Sequence, residues 1–348
     1  MYAPQLTPVF DGHNDLLLQL WLKHPENPAQ AFLSQRLSGH LDLARMRQGG
    51  FAGGLFAVFV PPSDYVAKFH GRDAASEARS HNPLLITQQQ IAILQQIEAQ
   101  SAGQAKICRS VGEIEQCIAQ GVLAMVLHIE GAEALDADLS QLEGWVAAGL
   151  RSIGPFWNLP NCFGSGVNGS FPGSPDTGDG LTEAGKRLIR ACNRHRLLID
   201  LSHMNEKAFW QTAELSDAPL VATHSNVHAL CPQPRNLTDA QLAAIAQSDG
   251  LVGLNFGTAF LRRDGQRGAD MPLSVMVQHL DYLLEKLGEE RVAFGSDFDG
   301  ITVAEELGDV TGLPRLLAAL RAAGYGETLI DRLTRGNWLR VLKKIWRQ

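Results

Sequence analysis

The chain has 348 residues, 45% of them hydrophobic, and a formal net charge of −7 with no basic run. That balance excludes nucleic acid and anionic membranes as natural partners, and no apolar stretch approaches the roughly 20 residues of a membrane helix. Five scattered cysteines without a CxxC pair (Cys108, Cys117, Cys162, Cys192, Cys231) suit buried or bystander thiols in a reducing compartment better than a disulfide framework or a zinc ribbon.

The opening MYAPQLTPVFDGH has neither a basic nor an apolar leader region, so it does not read as a signal peptide. A soluble cytoplasmic globular protein is expected, an enzyme by size. Strand-like runs then recur at residues 9–12, 54–60, 123–130, 151–156, 197–202, 220–224, 251–256 and 292–297. Helical patterns at 87–99, 183–194, 206–215, 239–247 and 273–287 separate them, and a final helix covers 327–346. Strands alternating with helices imply βαβ units and a parallel sheet. Eight such units point to a closed α/β barrel of the (β/α)8 TIM type, with a doubly wound open sheet as the alternative. No linker-like composition or repeat divides the chain, so residues 1–348 are expected to form one domain. The Gly/Pro/Ser/Asn-rich stretch 158–180 reads as one long βα loop.

The ends of those strands carry the chemistry. The first strand runs into Asp11-Gly12-His13-Asn14-Asp15. Residues i and i+2 of an extended chain share a side, so His13 and Asp15 converge. Two ligands of one metal would do so, and so would a hydrogen-bonded pair in a polar turn. Glu130 ends the third strand, His203 the fifth, His224 the sixth, and Asp297 and Asp299 the eighth. In a barrel these ends form the face where active sites are built. Three histidines with carboxylates make up the N/O donor set that suits zinc or a similar divalent ion.

Two stretches imitate nucleotide motifs. Gly164–Gly169 matches GxGxxG, but Phe171-Pro172-Gly173 follows where a helix must begin; Gly180–Arg187 nearly matches a P-loop, but Arg187 replaces the required Ser/Thr. The second reads instead as a helix start capped by Thr182. His228 has the position of a structural or surface residue.

From DGHND at Asp11 to NWLRV near Asn337, the chain resembles the membrane (renal) dipeptidase family of zinc peptidases. The landmarks are FDGHNDL, HLDLARMRQGGFAGGLFAVFV from His40, IEG at Glu130, LIDLSH, THS, the pair Arg235-Asn236, and FGSDFDG. The resemblance implies a (β/α)8 barrel, often in homodimers, with two zinc ions per chain. It makes His13, Asp15 and Glu130 ligands of one ion and Glu130, His203 and His224 those of the other, with Glu130 bridging. It makes Asp297 the catalytic carboxylate and Arg235 the clamp for the C-terminal carboxylate of a short peptide substrate, including peptides with a C-terminal D-residue. A hydroxide shared by ions about 3.5–4 Å apart would attack the peptide carbonyl, and Asp297 would carry its proton to the leaving amine. The sequence departs from the family at Trp157, which stands where members present a histidine near the scissile carbonyl. Tryptophan offers one donor and no titratable group, so Trp157 is expected to be a flat substrate-binding wall that narrows the N-terminal side-chain pocket. His128, one pleat deeper than Glu130, reads as a structural hydrogen-bonder. The rival readings are a metal-dependent hydrolase of another amide such as a β-lactam, or of a lactone, and a non-catalytic metal- or ligand-binding barrel.

Overall fold

The computed structural model describes residues 6–347; Met1–Gln5, at the head of the segment read as lacking a leader, and Gln348 lie outside the described residues. Among the described residues nine strands are present: β1 (Val9–Asn14), β2 (Phe51–Phe59), β3 (Ala105–Ile107), β4 (Leu123–Glu130), β5 (Leu150–Gly154), β6 (Leu198–Ile199), β7 (Val221–Ser225), β8 (Leu251–Leu254) and β9 (Val292–Phe294). Parallel ladders run in the order β1-β2-β4-β5-β6, and separately β7-β8-β9. Two single parallel bridges, Asp200↔Val221 and Asn14↔Phe298, join the two arcs at both seams. Eight strands therefore close into the expected (β/α)8 barrel, and the open-sheet alternative falls. The ninth strand, β3, pairs only with the lower half of β4 and was not foreseen.

Period-two alternation organises the core. Phe10, Leu55, Val126, Leu198, Val221, Leu251 and Ala293 form one cluster with Trp338, Val341, Leu342 and Ile345 of the last helix. Their strand neighbours Phe56, Leu127, Ile199, Ala222, Val252 and Phe294 pack in the outer layer with the surrounding helices. The inner faces are thus filled from below by the helix Asn337–Trp346, whose Trp338 donates its Nε1–H to the Phe294 carbonyl at 2.9 Å. Gly12 is required there, because a Cβ would collide with the Trp338 ring and the Thr223 carbonyl.

Three expectations shift in detail. The strand expected at 197–202 keeps only two ladder residues, because the Asp200 carboxylate takes the backbone N–H groups of Ser202 and Thr223 and replaces ladder bonds with side-chain ones. The helix expected at 327–346 is broken by a π-type turn over Arg332–Gly336. The helix Glu183–His195 starts as read, with the Thr182 hydroxyl accepting from Gly185 N–H. No helix among the described residues is long and apolar enough to cross a membrane.

Candidate metal centre

Six residues converge inside the upper rim, all nearly or fully buried: His13, Asp15, Glu130, His203, His224 and Asp297. They come from β1 and the residue that follows it, β4, β7 and the turns after β6 and β9. His203 and Asp297 are left-handed, at φ 69° and 58°. Non-glycine residues rarely adopt that conformation, and it is found where the surrounding structure enforces it. Two backbone bonds lock the last turn onto the first strand: Asp297 N–H donates to the His13 carbonyl (2.9 Å) and Asp15 N–H to the Phe298 carbonyl (2.8 Å). Gly300 lets that turn close, since a Cβ there would strike the carboxylates of Asp15 and Asp297.

The Glu130 carboxylate divides its oxygens between two groups. Oε2 faces His13 Nε2 at 3.7 Å, and the same nitrogen lies 3.6 Å from Asp15 Oδ2. Oε1 faces His203 Nε2 at 2.9 Å and His224 Nε2 at 3.3 Å. Both triplets, His13/Asp15/Glu130 and Glu130/His203/His224, bring one donor atom from each member within 4.8 Å of the others.

The far nitrogens set the tautomers of two of these rings. His203 Nδ1 meets the Asn158 side-chain oxygen at 2.7 Å, an acceptor, so Nδ1 carries the proton. His224 Nδ1 meets the Thr223 hydroxyl at 2.7 Å, and that hydroxyl donates onward to Asp200 Oδ2 at 2.5 Å. Each Nε2 is then a bare lone pair, the two are only 3.1 Å apart, and both point at a carboxylate oxygen. Lone pairs do not gather so closely around an anion unless a cation sits among them. The donor set and its spacing therefore fit a divalent ion.

Charge balance makes the same demand. Burial alone would lower the His13 pKa, but the carboxylates of Glu130, Asp15 and Asp297 outweigh it and push the ring up to about 10. Burial holds His203 and His224 well below the ordinary histidine value, assisted by the positive charge of Arg235 and His13. Burial also raises Glu130 well above the usual carboxylate range and pushes Asp297 up to about 7, against the pull of His13 and of an Asn255 N–H.

Asp297 stands beside both triplets. Its Oδ2 accepts Asn255 Nδ2–H at 2.8 Å, and Asn255 is fixed by two bonds with Asn226. Arg235 is buried against the rim with Nη1 on Ser225 Oγ (2.7 Å) and Nη2 on the His224 carbonyl (2.8 Å), leaving its Nε–H without a partner among the described residues. Trp157 stacks at a tilt over His203 (centroids 6.2 Å) and against Phe59 (5.3 Å). The five expected ligands thus lie at one site with Asp297, Arg235 and Trp157. Asp299 turns away to His40, whose backbone N–H it accepts at 2.5 Å, and His228 bonds the Gly173 carbonyl at 2.7 Å. Asn158, Asp200, Thr223 and Asn255 escaped the sequence reading. Strand-end histidines and acids draw the eye and amides do not, although Asn255 is the penultimate residue of the strand expected at 251–256.

Comparison with known proteins agrees with this geometry. Residues 4–347 match the model of the membrane dipeptidase family, peptidase family M19. An uncharacterized Klebsiella pneumoniae protein from the pqqA 5′ region is 61% identical over 267 residues, covering 77% of this chain and 98% of that one. An uncharacterized Acinetobacter calcoaceticus protein from the PQQ-III 3′ region is 51% identical over 291 residues, 82% and 91% of the two chains. Among solved structures, a Rhodobacter sphaeroides metallopeptidase liganded with a phosphinate mimic of the dipeptide L-Ala-D-Ala superposes with a TM-score of 0.92 at 47% identity, over 98% of this chain and all of that one.

Proposed function

The chain belongs to the membrane dipeptidase family, a family of metal-dependent peptide-bond hydrolases, and on that premise we propose that it is a zinc dipeptidase acting on dipeptides with a free C-terminus, those ending in a D-residue included. The observation that carries this reading is the division of Glu130 between two donor groups. His13, Asp15 and Glu130 would hold one zinc ion, and Glu130, His203 and His224 a second. Bound there, such ions would polarise the scissile carbonyl and lower the pKa of the attacking water.

The protein's own groups supply the rest. Arg235 enters with two of its five N–H donors spent on holding it in place and the remainder free, enough for a charge-assisted bond to the substrate's terminal carboxylate. Asp297 has Oδ2 occupied by Asn255, so Oδ1 is the oxygen that takes the water's proton and returns it to the leaving amine. Trp157 and Phe59 form an apolar wall beside His203 and limit the side chain accepted on the N-terminal side. The inclusion of peptides ending in a D-residue is supported by the L-Ala-D-Ala mimic bound to the Rhodobacter relative. The whole chain acts as one barrel domain.

Elemental analysis of protein purified without chelator should approach two zinc equivalents. The same preparation should cleave free-acid dipeptides far faster than their C-terminal amides. One equivalent in fully active enzyme would sink the bridging role of Glu130, and equal cleavage of acid and amide would overturn the Arg235 clamp.

A further inference from the structure

Two of the three histidines at the centre are anchored from behind, His203 by Asn158 and His224 by Thr223. His13 is not. Its Nε2 faces Asp15 and Glu130, and its Nδ1, in a fully buried ring, has no hydrogen-bond partner among the described protein groups. A neutral imidazole that turns a lone pair on Nε2 toward a cation carries its proton on Nδ1. Metal-ligating histidines normally donate that proton to something.

A second orphan stands behind the first. His128, two residues below Glu130 on β4 and fully buried, spends Nδ1 on the Ser152 hydroxyl at 2.7 Å and leaves Nε2 unpartnered. Its ring lies edge-on to His13, with centroids 5.4 Å apart and planes at 79°. His128 Nε2 is 3.8 Å from Asp200 Oδ2, too long for a direct bond. One donor atom each from His13, His128 and Asp200 lie within 4.8 Å of one another. Any three points so related share a centre no farther from each than 4.8 Å divided by √3, about 2.8 Å, which is a hydrogen-bond length.

We propose that His13, His128 and Asp200 enclose one internal water molecule, and that this water, with His128 and Asp200 as positioning residues, anchors the metal-facing ring of His13. The site is polar, closed and offers three partners, as a buried water requires. The proton directions are self-consistent. His13 Nδ1–H donates to the water; the water donates one proton to His128 Nε2 and the other to Asp200 Oδ2; His128 Nδ1–H donates to Ser152. A third cation is the poorer occupant, because it would have to displace the Nδ1 proton and leave the His13 ring anionic between two metals. Asp200 then sits beneath both donor triplets, holding His224 through Thr223 and His13 through the water.

This inference rests on His13 being a metal ligand, and the test separates the two. The metal-loaded enzyme and its His128→Leu variant are titrated with a competing chelator, and the wild-type crystal structure is solved at high resolution. The wild type should hold two ions and show a single peak without anomalous signal within hydrogen-bond reach of all three groups. His128→Leu should release one of its two ions about 10- to 100-fold more readily while keeping the other. If the leucine variant fails to fold by circular dichroism, Ser152→Ala, which frees the His128 ring to rotate, should weaken the same ion in the same direction. A wild type holding no ion between His13, Asp15 and Glu130 would defeat the metal reading itself. Two ions in the wild type with unchanged chelator competition in both variants, or an anomalous scatterer at the point, would overturn the water anchor alone.

Discussion

The two arcs of the barrel are held together differently, and the site straddles them. The arc β1-β2-β4-β5-β6 is a continuous set of backbone ladders, with seven consecutive partners between β2 and β4. The arc β7-β8-β9 has ladders of three partners each and meets the first through one bridge at either seam. Buried carboxylates reinforce those seams: Asp11 grips the Ser296 N–H and hydroxyl at one, and Asp200 grips Thr223 at the other. The long arc supplies His13, Asp15 and Glu130; the short arc supplies His224, Asn255 and the turn bearing Asp297. The metal-holding and substrate-handling groups we assign thus lie largely on opposite arcs, and their alignment depends on side chains at the seams.

The floor of the barrel is the severest place to break that arrangement. Trp338 touches Phe10 of the long arc and bonds Phe294 of the short one. Trp338→Ala should destabilise the fold by about 3–5 kcal/mol in denaturant titrations; a loss under 1 kcal/mol would mean the arcs close without it. Next comes Asp297→Asn, which should lower kcat at least about 10²-fold while metal content stays at the wild-type level. Loss of metal from that variant would place a metal ligand on the short arc's last turn and erase the division of labour. Arg235→Ala should cost roughly 1.5–3 kcal/mol, or about ten- to a hundred-fold in kcat/KM, on a free-acid dipeptide. On the C-terminal amide of the same dipeptide it should change little.

The smallest effect concerns pH. His279, buried on the helix Leu273–Leu287 beside the short arc, accepts the Val227 N–H on Nδ1 and donates Nε2–H to the Leu261 carbonyl; burial lowers its pKa from 6.5 to about 4. A histidine depressed in the fold gives stability that is complete above 6.5 and is lost as pH falls toward 4, because only the unfolded chain takes up the proton in that window. At pH 5.5 this amounts to about 1 kcal/mol. Stability measured between pH 7.5 and 5.5 should therefore fall less in His279→Gln than in the wild type, and equal slopes would remove His279 as the cause.

Much of this was legible in the sequence because strand ends announce themselves. VATHS and LHIEG carry apolar runs that stop at a polar residue, so the barrel and the candidate ligand positions follow from one pattern. What stayed hidden lacks such a pattern. Asn158 opens the long loop 158–180, and nothing local says that its amide reaches across to His203. Asp200 sits inside IDLSH, where it reads as one more strand residue; its task becomes visible only when Thr223 and His128 are brought beside it. The short β6 has the same cause, since pairing preference cannot foresee a carboxylate that takes over the bonds of a ladder. The family resemblance places Trp157 at the site, and its contact with Phe59 follows from the register that sets Phe59 beside Glu130.

The Trp338 plug also bears on the order of biosynthesis. Every residue that faces the metal centre has left the ribosome before the helix that floors the barrel is made. Until then the inner strand faces, Phe10 and Val221 among them, have no apolar partner below, and such exposed surface is what nascent chains aggregate through. A chain ending at Ile330 would keep all the proposed ligands and Asp297 yet lack the floor, and it should stay unfolded and bind no metal. A metal-loaded, monodisperse fragment of that length would show that the barrel can close from the rim alone.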